Sequence, residues 1–450
     1  MEGNGVPRSG SLASTAGSAD TINTKTTTVS AQSDWETPLM PEAKSGYISL
    51  NPWSLFLAFR NSHIVTVEPV IFLYMLGTYL YFPLYQQYYY LRYGIDQLED
   101  TNFTMPNSSF CLNSTEIDEY GGNGTYKVVE KLSTNLLTYG SLCNRILSLI
   151  VTLIMGPLSD KYGRRLIIII VATGMLLQGI ISLFIVHFNL SLYFFLVTQG
   201  IAGITGDFAA ILMACFTYVV DVSSVHYRTL RIAIAEGMLF FAGAIGEGLI
   251  SGLWLQELHC YFIPPIWLFI ACALGIIGYT IVFLPESLSS SEHEKQARKK
   301  QGKFQTLVTG VKILFCQYKG LAVWKLWGGL FIVFILVFNM SGGTSITIYY
   351  FKAKLSLDWD PETTGFFLAL QQLSNMVGLL VILPFFIACK LPDALISIFG
   401  LLAHCIVNVS IGLASVTYQL FIGKTINHTL PSTISISVLF RTQCTSMAGQ

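Results

Sequence analysis

Apolar runs recur along this chain, each near the roughly 20 residues that a helix needs to cross the hydrocarbon of a bilayer. They predict ten membrane-spanning helices, near 64–84, 134–156, 166–187, 191–219, 231–254, 263–284, 325–346, 363–386, 394–413 and 416–440. A polar stretch over 287–320 separates six spans from four. The pattern therefore predicts an all-α polytopic membrane protein in four parts. Residues 1–62 form a disordered cytosolic tail, and 63–286 a six-helix bundle interrupted by a polar loop over 95–133. Residues 287–320 are a cytosolic linker, and 321–450 a second bundle that is incomplete. Within the linker, Glu292 to Lys303 (EHEKQARKKQGK) is a dense charge run; it reads as a solvated face or as a contact with lipid headgroups or a partner.

Charge and composition agree with lipid as the solvent. Only 12% of the residues are charged and 52% are hydrophobic, against about 25% charged in a soluble domain. The formal net charge is zero, so the chain lacks a nucleic-acid footprint. Lys and Arg set the orientation. Lys161, Arg164, Arg165, Arg228, Arg231, the 295–303 cluster, Lys390 and Arg441 fall on one side, which is then cytosolic, as is the N-terminus. Arg92, Lys127, Lys131, Lys352 and Lys354 fall on the other. The loop after the first span, on that outer side, holds sequons at Asn102, Asn107, Asn113 and Asn123. Changing all four to Gln is expected to abolish the glycan-dependent mobility shift on a gel; a shift that persists would place the glycan elsewhere and overturn this topology. Further sequons at Asn189, Asn339, Asn408 and Asn427 lie in a very short outer loop or inside spans and are expected to be silent.

The nine Cys form no CxxC pair or metal-ligand spacing, so neither a zinc nor a redox site is expected. Cys111 and Cys260 both face the oxidising side, where a disulfide between them and two separate thiols are both open. No nucleophile–base pair or nucleotide loop stands out, so an enzyme is not expected. No cofactor is expected beyond a proton gradient.

Ionisable groups inside apolar spans cost about 2.5–3.5 kcal/mol on insertion scales and so are paired or functional. Arg145 lies at the centre of the second span, Asp207 in the fourth, and Glu236 and Glu247 in the fifth. The two Glu are separated by about 1100° of ideal helix, which puts them on one face about 16 Å apart. That spacing suits two steps on a proton path, or two ion-pair partners for Arg145. Asp207 follows Gly203 and Gly206 at a spacing that equally suits helix packing. Lys424 and His428 share a face of the tenth span, where they bind a carboxylate and sense pH, or snorkel to the interface. Arg441 at its inner end is an anion ligand or a positive-inside anchor. The run Tyr79, Tyr81, Tyr85, Tyr88, Tyr89 and Tyr90 is expected to form an interfacial belt, with stacking on a flat ligand as the rival. Gly46-Tyr-Ile-Ser-Leu50 has the form of a tyrosine-based sorting signal, which leans towards endolysosomal membranes over the plasma membrane.

Between the second and third spans stands Gly156-Pro-Leu-Ser-Asp-Lys-Tyr-Gly-Arg-Arg165. It resembles the major facilitator signature at each defined position. Gly156 and Gly163 suit close packing and positive φ, and Asp160 with Lys161, Arg164 and Arg165 suits a charge lock that switches with the gate. A second set of segments extends the likeness: Val67-Glu-Pro-Val-Ile-Phe-Leu73, Gly206-Asp-Phe208, Asp221-Val-Ser-Ser224 with Arg228, Thr229 and Arg231, Asp358-Trp-Asp360 with Gly365, and Arg441. Together they resemble solute carrier family 46, the proton-coupled folate transporter family, over about residues 63–450. The resemblance implies proton-coupled import of an organic anion such as a folate, steroid conjugate or muropeptide. The implied fold is two helical bundles with a site near the midplane. It also implies roles for Asp160 and Arg164 in gating, Asp207 and Glu236 in coupling, and Arg441 at the substrate.

Some positions depart from the family. Its seventh-span His is absent from Asn339-Met-Ser-Gly-Gly-Thr344, and Asp358 stands where its Cys would be. The chain ends at Gln450, where the family continues with two more spans, so a truncated inactive product and a variant with a reduced second bundle are both open. The expected function is a proton-coupled symporter, with a non-transporting receptor or scaffold and a drug/proton antiporter as alternatives. Its partners are an organic anion, protons and the lipid bilayer, with no nucleic acid; oligomeric state is not legible.

Overall fold

The computed structural model describes residues 67–98, 124–223, 228–248, 261–287, 361–382 and 393–413, with isolated positions within 327–335 and 385–389. All lie in the compact unit Pro52–Gln450. The helices are α1 (Glu68–Leu98), α2 (Thr125–Tyr162), α3 (Arg164–His187), α4 (Phe194–Ile204), α5 (Asp207–Val222), α6 (Arg228–Gly243), α7 (Ile263–Val282), α8 (Pro361–Val377) and α9 (Asp393–Leu413). No strand occurs among the described residues. Among them, five stretches have the length and hydropathy of a membrane span: Lys127–Tyr162, Arg164–His187, Phe194–Val222, Ile263–Val282 and Gly365–Ile382.

Three departures from the apolar pattern matter. First, α1 does not stop near residue 84 but runs through Pro83 to Leu98, and α2 begins at Thr125, so both helices extend into the loop expected over 95–133. Second, the fourth span is two helices, interrupted at Thr205–Gly206. Third, α6 passes at Ala244–Gly248 into a π-helical turn, as α8 does at Gly378–Ile382. A π turn winds the chain by less per residue than an α turn. The offset calculated for Glu236 and Glu247 on a straight helix therefore does not hold.

The core of the first bundle is built around α1, which packs on α2, α6 and α7, while α3 packs on α4, α5 and α7. This corrects the expected tyrosine belt. Tyr81, Tyr85, Tyr88 and Tyr89 are buried inside the bundle. The Tyr81 ring stacks on Phe269 at 4.6 Å between centroids, Tyr88 meets Phe262 edge-on at 5.2 Å, and Tyr89 meets Phe195 at 5.2 Å. Continued helix after Pro83 carries these rings inward, where edge-to-face pairs and area burial outweigh the interfacial preference of an isolated ring.

Candidate functional site

Backbone geometry builds the centre of the site. Gly206 has φ 90° and Asp207 φ 43°. The second value is strained for a side-chain-bearing residue and recurs at functional sites. Neighbouring helices hold the break. Ser148 Oγ on α2 donates at 2.8 Å to the Gly206 carbonyl, which also accepts from the Ala210 N–H at 3.1 Å, so α2 is tied to the first turn of α5. Tyr74 Oη on α1 donates to Asp207 Oδ1 at 2.7 Å, and Asn144 Nδ2 on α2 donates to Asp207 Oδ2 at 3.1 Å. The same Asn144 Nδ2 reaches Gln199 Oε1 on α4 at 3.2 Å. Asp207 is thus tied to α1 and α2 directly, and to α4 through Asn144.

These groups border a cavity of about 100 Å³ between α1, α2, α3, the α4–α5 break and α7, lined among others by Tyr74, Asn144, Arg145, Gln178, Gln199 and Asp207. Its cation is Arg145. The described ion pairs are Arg164–Asp160, Arg164–Asp221 and Arg231–Glu68, so Arg145 forms none among the described residues. Neither Glu236 nor Glu247 lines this cavity, and the reading of them as ion-pair partners of Arg145 gives way to Arg145 and Asp207 facing one space. Asn144 is 7% exposed, and its Oδ1 has no hydrogen-bond partner among the described residues. The volume is well below the roughly 300–1,000 Å³ of sites that hold drug-sized ligands. Admitting such a solute requires the walls to part.

A second arrangement lies where α2 meets α3. Gly163, at φ 105°, breaks the chain between them, whereas Gly156 is helical and lets α2 approach Met213 of α5. Arg164 is buried, with a side chain 7% exposed. It bonds Asp160, donates to Asp221 Oδ2 at 3.1 Å, and reaches Ser159 Oγ at 3.1 Å. Its backbone N–H donates to Glu286 Oε1 at 2.9 Å, so a carboxylate sits at the α3 N-terminus, where the helix dipole favours it. Ser287 Oγ joins at Asp221 Oδ2, 3.2 Å away. Arg165 donates to the Ile281 carbonyl. Arg164 is therefore the hub of the motif, and its described partners all lie in the first bundle. Asp221 was visible only as part of a resemblance, and Glu286 was missed; the Pro285-Glu286-Ser287 triplet just past an apolar run was its one signal.

The family model of the Major Facilitator Superfamily matches residues 67–442. The chain belongs to the major facilitator superfamily. Among curated relatives it is similar to the proton-coupled folate transporter of Rattus norvegicus, 27% identical over 366 residues, which cover 79% of this chain and 73% of that protein. It is also similar to the lysosomal proton-coupled steroid conjugate and bile acid symporter SLC46A3 of Homo sapiens, 25% identical over 367 residues, covering 80% of this chain and 77% of that one. Both relatives fall in solute carrier family 46, the family that the segment pattern resembled. A solved structure, the human organic anion transporter MFSD10 (TETRAN), superposes with a TM-score of 0.56 at 14% identity, over 86% of this chain and 85% of that one. This last likeness bears on the fold alone.

The remaining candidate residues distribute as follows. Glu236 is half-buried on α6. Glu247 sits in the π turn and accepts from Gln372 Nε2 at 3.2 Å. Lys424, His428, Arg441, Cys111, Cys260 and the sequons at Asn102, Asn107, Asn113 and Asn123 lie outside the described residues, as do the spans near 416–440 and most of 325–346. Among the described residues no group of three or more His, Cys, Asp or Glu is placed to hold a metal ion.

Proposed function

We propose that this superfamily transporter is a symporter that carries an organic anion together with protons, by alternating access of its two bundles. The observation that carries the reading is the meeting, in one cavity, of the exposed Arg145 side chain with the half-buried Asp207 carboxylate held by Tyr74 and Asn144. A guanidinium at the wall of such a cavity attracts an anion and offers it a planar fork of donors. A neighbouring carboxylate that gains a proton removes the charge that would repel that anion, so anion and proton enter together. Asn144 Oδ1 offers a buried acceptor to a donor group on the same solute. The relatives' substrates, folates in one and steroid conjugates and bile acids in the other, bound the class to be tried. Glu236 is assigned to proton coupling, Lys424 and Arg441 to the substrate from the second bundle, and His428 to pH sensing. A cation-exporting drug antiporter fits less well with Arg145 in the cavity.

The membrane is proposed to be plasma or endolysosomal, with the N-terminus cytosolic and glycan on the loop after the first span. The testing experiment is uptake of labelled folate, steroid sulfate and muramyl peptide into cells that express the chain, with and without an inward acid gradient. Acid-stimulated uptake of one of them is expected. Glu236→Gln is expected to flatten the pH dependence while leaving exchange of anion for anion. A pH dependence unchanged in Glu236→Gln would remove Glu236 from coupling, and uptake indifferent to the gradient would overturn symport itself.

A further inference from the structure

The contact between the two bundles carries a carboxylate that the central cavity does not use. α6 meets α1 on one side and α8 on the other, and at its end the π turn Ala244–Gly248 places Glu247 at this junction. Lower on the same face the contact is apolar, with Ala233 and Phe240 against Leu379. Higher up it becomes glycine-lined and polar. A Cβ at Gly246 would fall 3.2 Å from the Leu76 carbonyl oxygen and 3.3 Å from the Leu80 nitrogen of α1. One at Gly243 would fall 3.0 Å from the Tyr79 ring and 3.1 Å from the Gln372 side chain, and one at Gly248 would strike Ala369. The helices are therefore as close as their backbones permit, which is how helices without a hydrophobic driving force associate in lipid.

Across this seam Gln372 Nε2 of α8 donates to Glu247 Oε2 at 3.2 Å, and the Tyr79 ring of α1 packs beside the same Gln372 side chain over Gly243. One amide of the second bundle is thereby bonded by α6 and flanked by α1. The titratable group facing Glu247 from α1 is Tyr79. Residues 69–91 of α1 and 363–382 of α8 contain no Asp, Glu, Lys, Arg or His. On α6 itself Glu236 lies eleven residues earlier, and Arg231 is engaged with Glu68 at 3.3 Å.

We infer that Glu247, Gln372 and Tyr79 form a proton-sensitive latch between the bundles, with Glu247 the positioning residue that sets when they part. The inference rests on the alternating-access reading, because only a carrier that rocks its bundles must open this seam. An ionised Glu247 accepts a charge-assisted bond from Gln372, which is stronger than a neutral one. When the carboxylate takes a proton from water, one of its oxygens becomes a donor and the bond to the Gln372 amide becomes neutral. The net difference between charged and neutral hydrogen bonds corresponds to about a five- to tenfold change in the opening equilibrium.

The test uses the full chain in membranes, with A369C placed against Gly248, and follows maleimide labelling of that one peptide by mass spectrometry. The rate is compared with that in an E247Q background at the same pH, so the reagent's own pH dependence cancels. At pH 7.5 labelling is expected to run about five- to tenfold slower with Glu247 in place than in the E247Q background; by pH 4.5 the two rates should converge. Q372A is expected to behave as E247Q does. Equal rates at both pH values, or a difference that pH does not alter, would overturn the latch. Hydrogen exchange of peptides covering 363–377, without an added thiol, repeats the comparison in case A369C itself pries the seam open; equal protection in both backgrounds at both pH values overturns it there too. Neither readout needs a substrate. A chain that moves no anion but shows the convergence keeps the latch and loses the symport reading, whereas anion uptake with no convergence does the reverse.

Discussion

Arg145→Gln is expected to lower organic-anion uptake about a hundredfold at substrate concentrations below saturation, with surface expression unchanged. The guanidinium lines the central cavity beside Asp207 and takes part in none of the described ion pairs, so its charge is available to a solute there. Arg145 is exposed in this structure. The cost of about 2–5 kcal/mol for removing one member of a desolvated charge pair therefore applies to the state in which the walls have closed over the bound anion, and about 1.4 kcal/mol is a factor of ten. The lower half of that range applies because the cavity must open, and admit water, before the anion enters. Concentration-dependent initial rates give the check. If Arg145 holds the anion equally before and during the conformational step, the loss falls on KM. Arg145→Lys should retain part of the uptake, since it keeps the charge but not the planar fork. Wild-type uptake in Arg145→Gln would move the anion's counter-charge to the other proposed ligands, Lys424 or Arg441.

The second large effect is on stability. Arg164→Met is expected to destabilise the first bundle by about 3 kcal/mol, the low end of what breaking a buried ion pair costs. The low end is chosen because Asp221 retains 27% side-chain exposure and Asp160 is 69% exposed, so that solvent screens what remains. In detergent this corresponds to a fall of about 6–12 °C in the midpoint of thermal unfolding. Asp160→Asn should move the midpoint far less, since its carboxylate faces solvent. An Arg164→Met midpoint within a degree of wild type would show that the hub tying α2, α3 and α5 carries little of the fold's stability.

Some of this architecture was legible from hydropathy. The runs at 134–156, 166–187 and 263–284 became α2, α3 and α7, because each is predominantly apolar and bounded by charge, glycine or proline. The signature between α2 and α3 was legible because its glycines and charges stand together in the chain. The interruption at Thr205–Gly206 was not. A hydropathy window averages across it, and what holds it open is Ser148, Tyr74 and Asn144, contributed by two other helices. The burial of Tyr81, Tyr85, Tyr88 and Tyr89 escaped for a related reason, since a ring prefers the interface only when no Phe195, Phe262 or Phe269 faces it inside. Arg164 was expected to act with its neighbours in sequence; its Asp221 and Glu286 partners stand 57 and 122 positions away. Glu236 and Glu247 were placed on one face by arithmetic that assumed an unbroken α-helix, and the π turn at Ala244–Gly248 breaks that assumption.

The interruption of the fourth span also bears on how the protein reaches the membrane. At 1.5 Å per residue, α4 with 11 residues is about 16 Å long and α5 with 16 residues about 24 Å. Neither alone crosses about 30 Å of hydrocarbon. Phe194–Val222 must therefore enter the bilayer as one 29-residue segment, and the bend belongs to the assembled bundle rather than to the inserting chain. The groups that hold the bend, on α1 and α2, precede it in the chain and are already synthesised when it emerges. The order of translation thus delivers the scaffold before the strained turn that depends on it. A version of this chain permuted to begin at α4 would have to hold a broken helix in lipid with Tyr74, Asn144 and Ser148 not yet there to brace it.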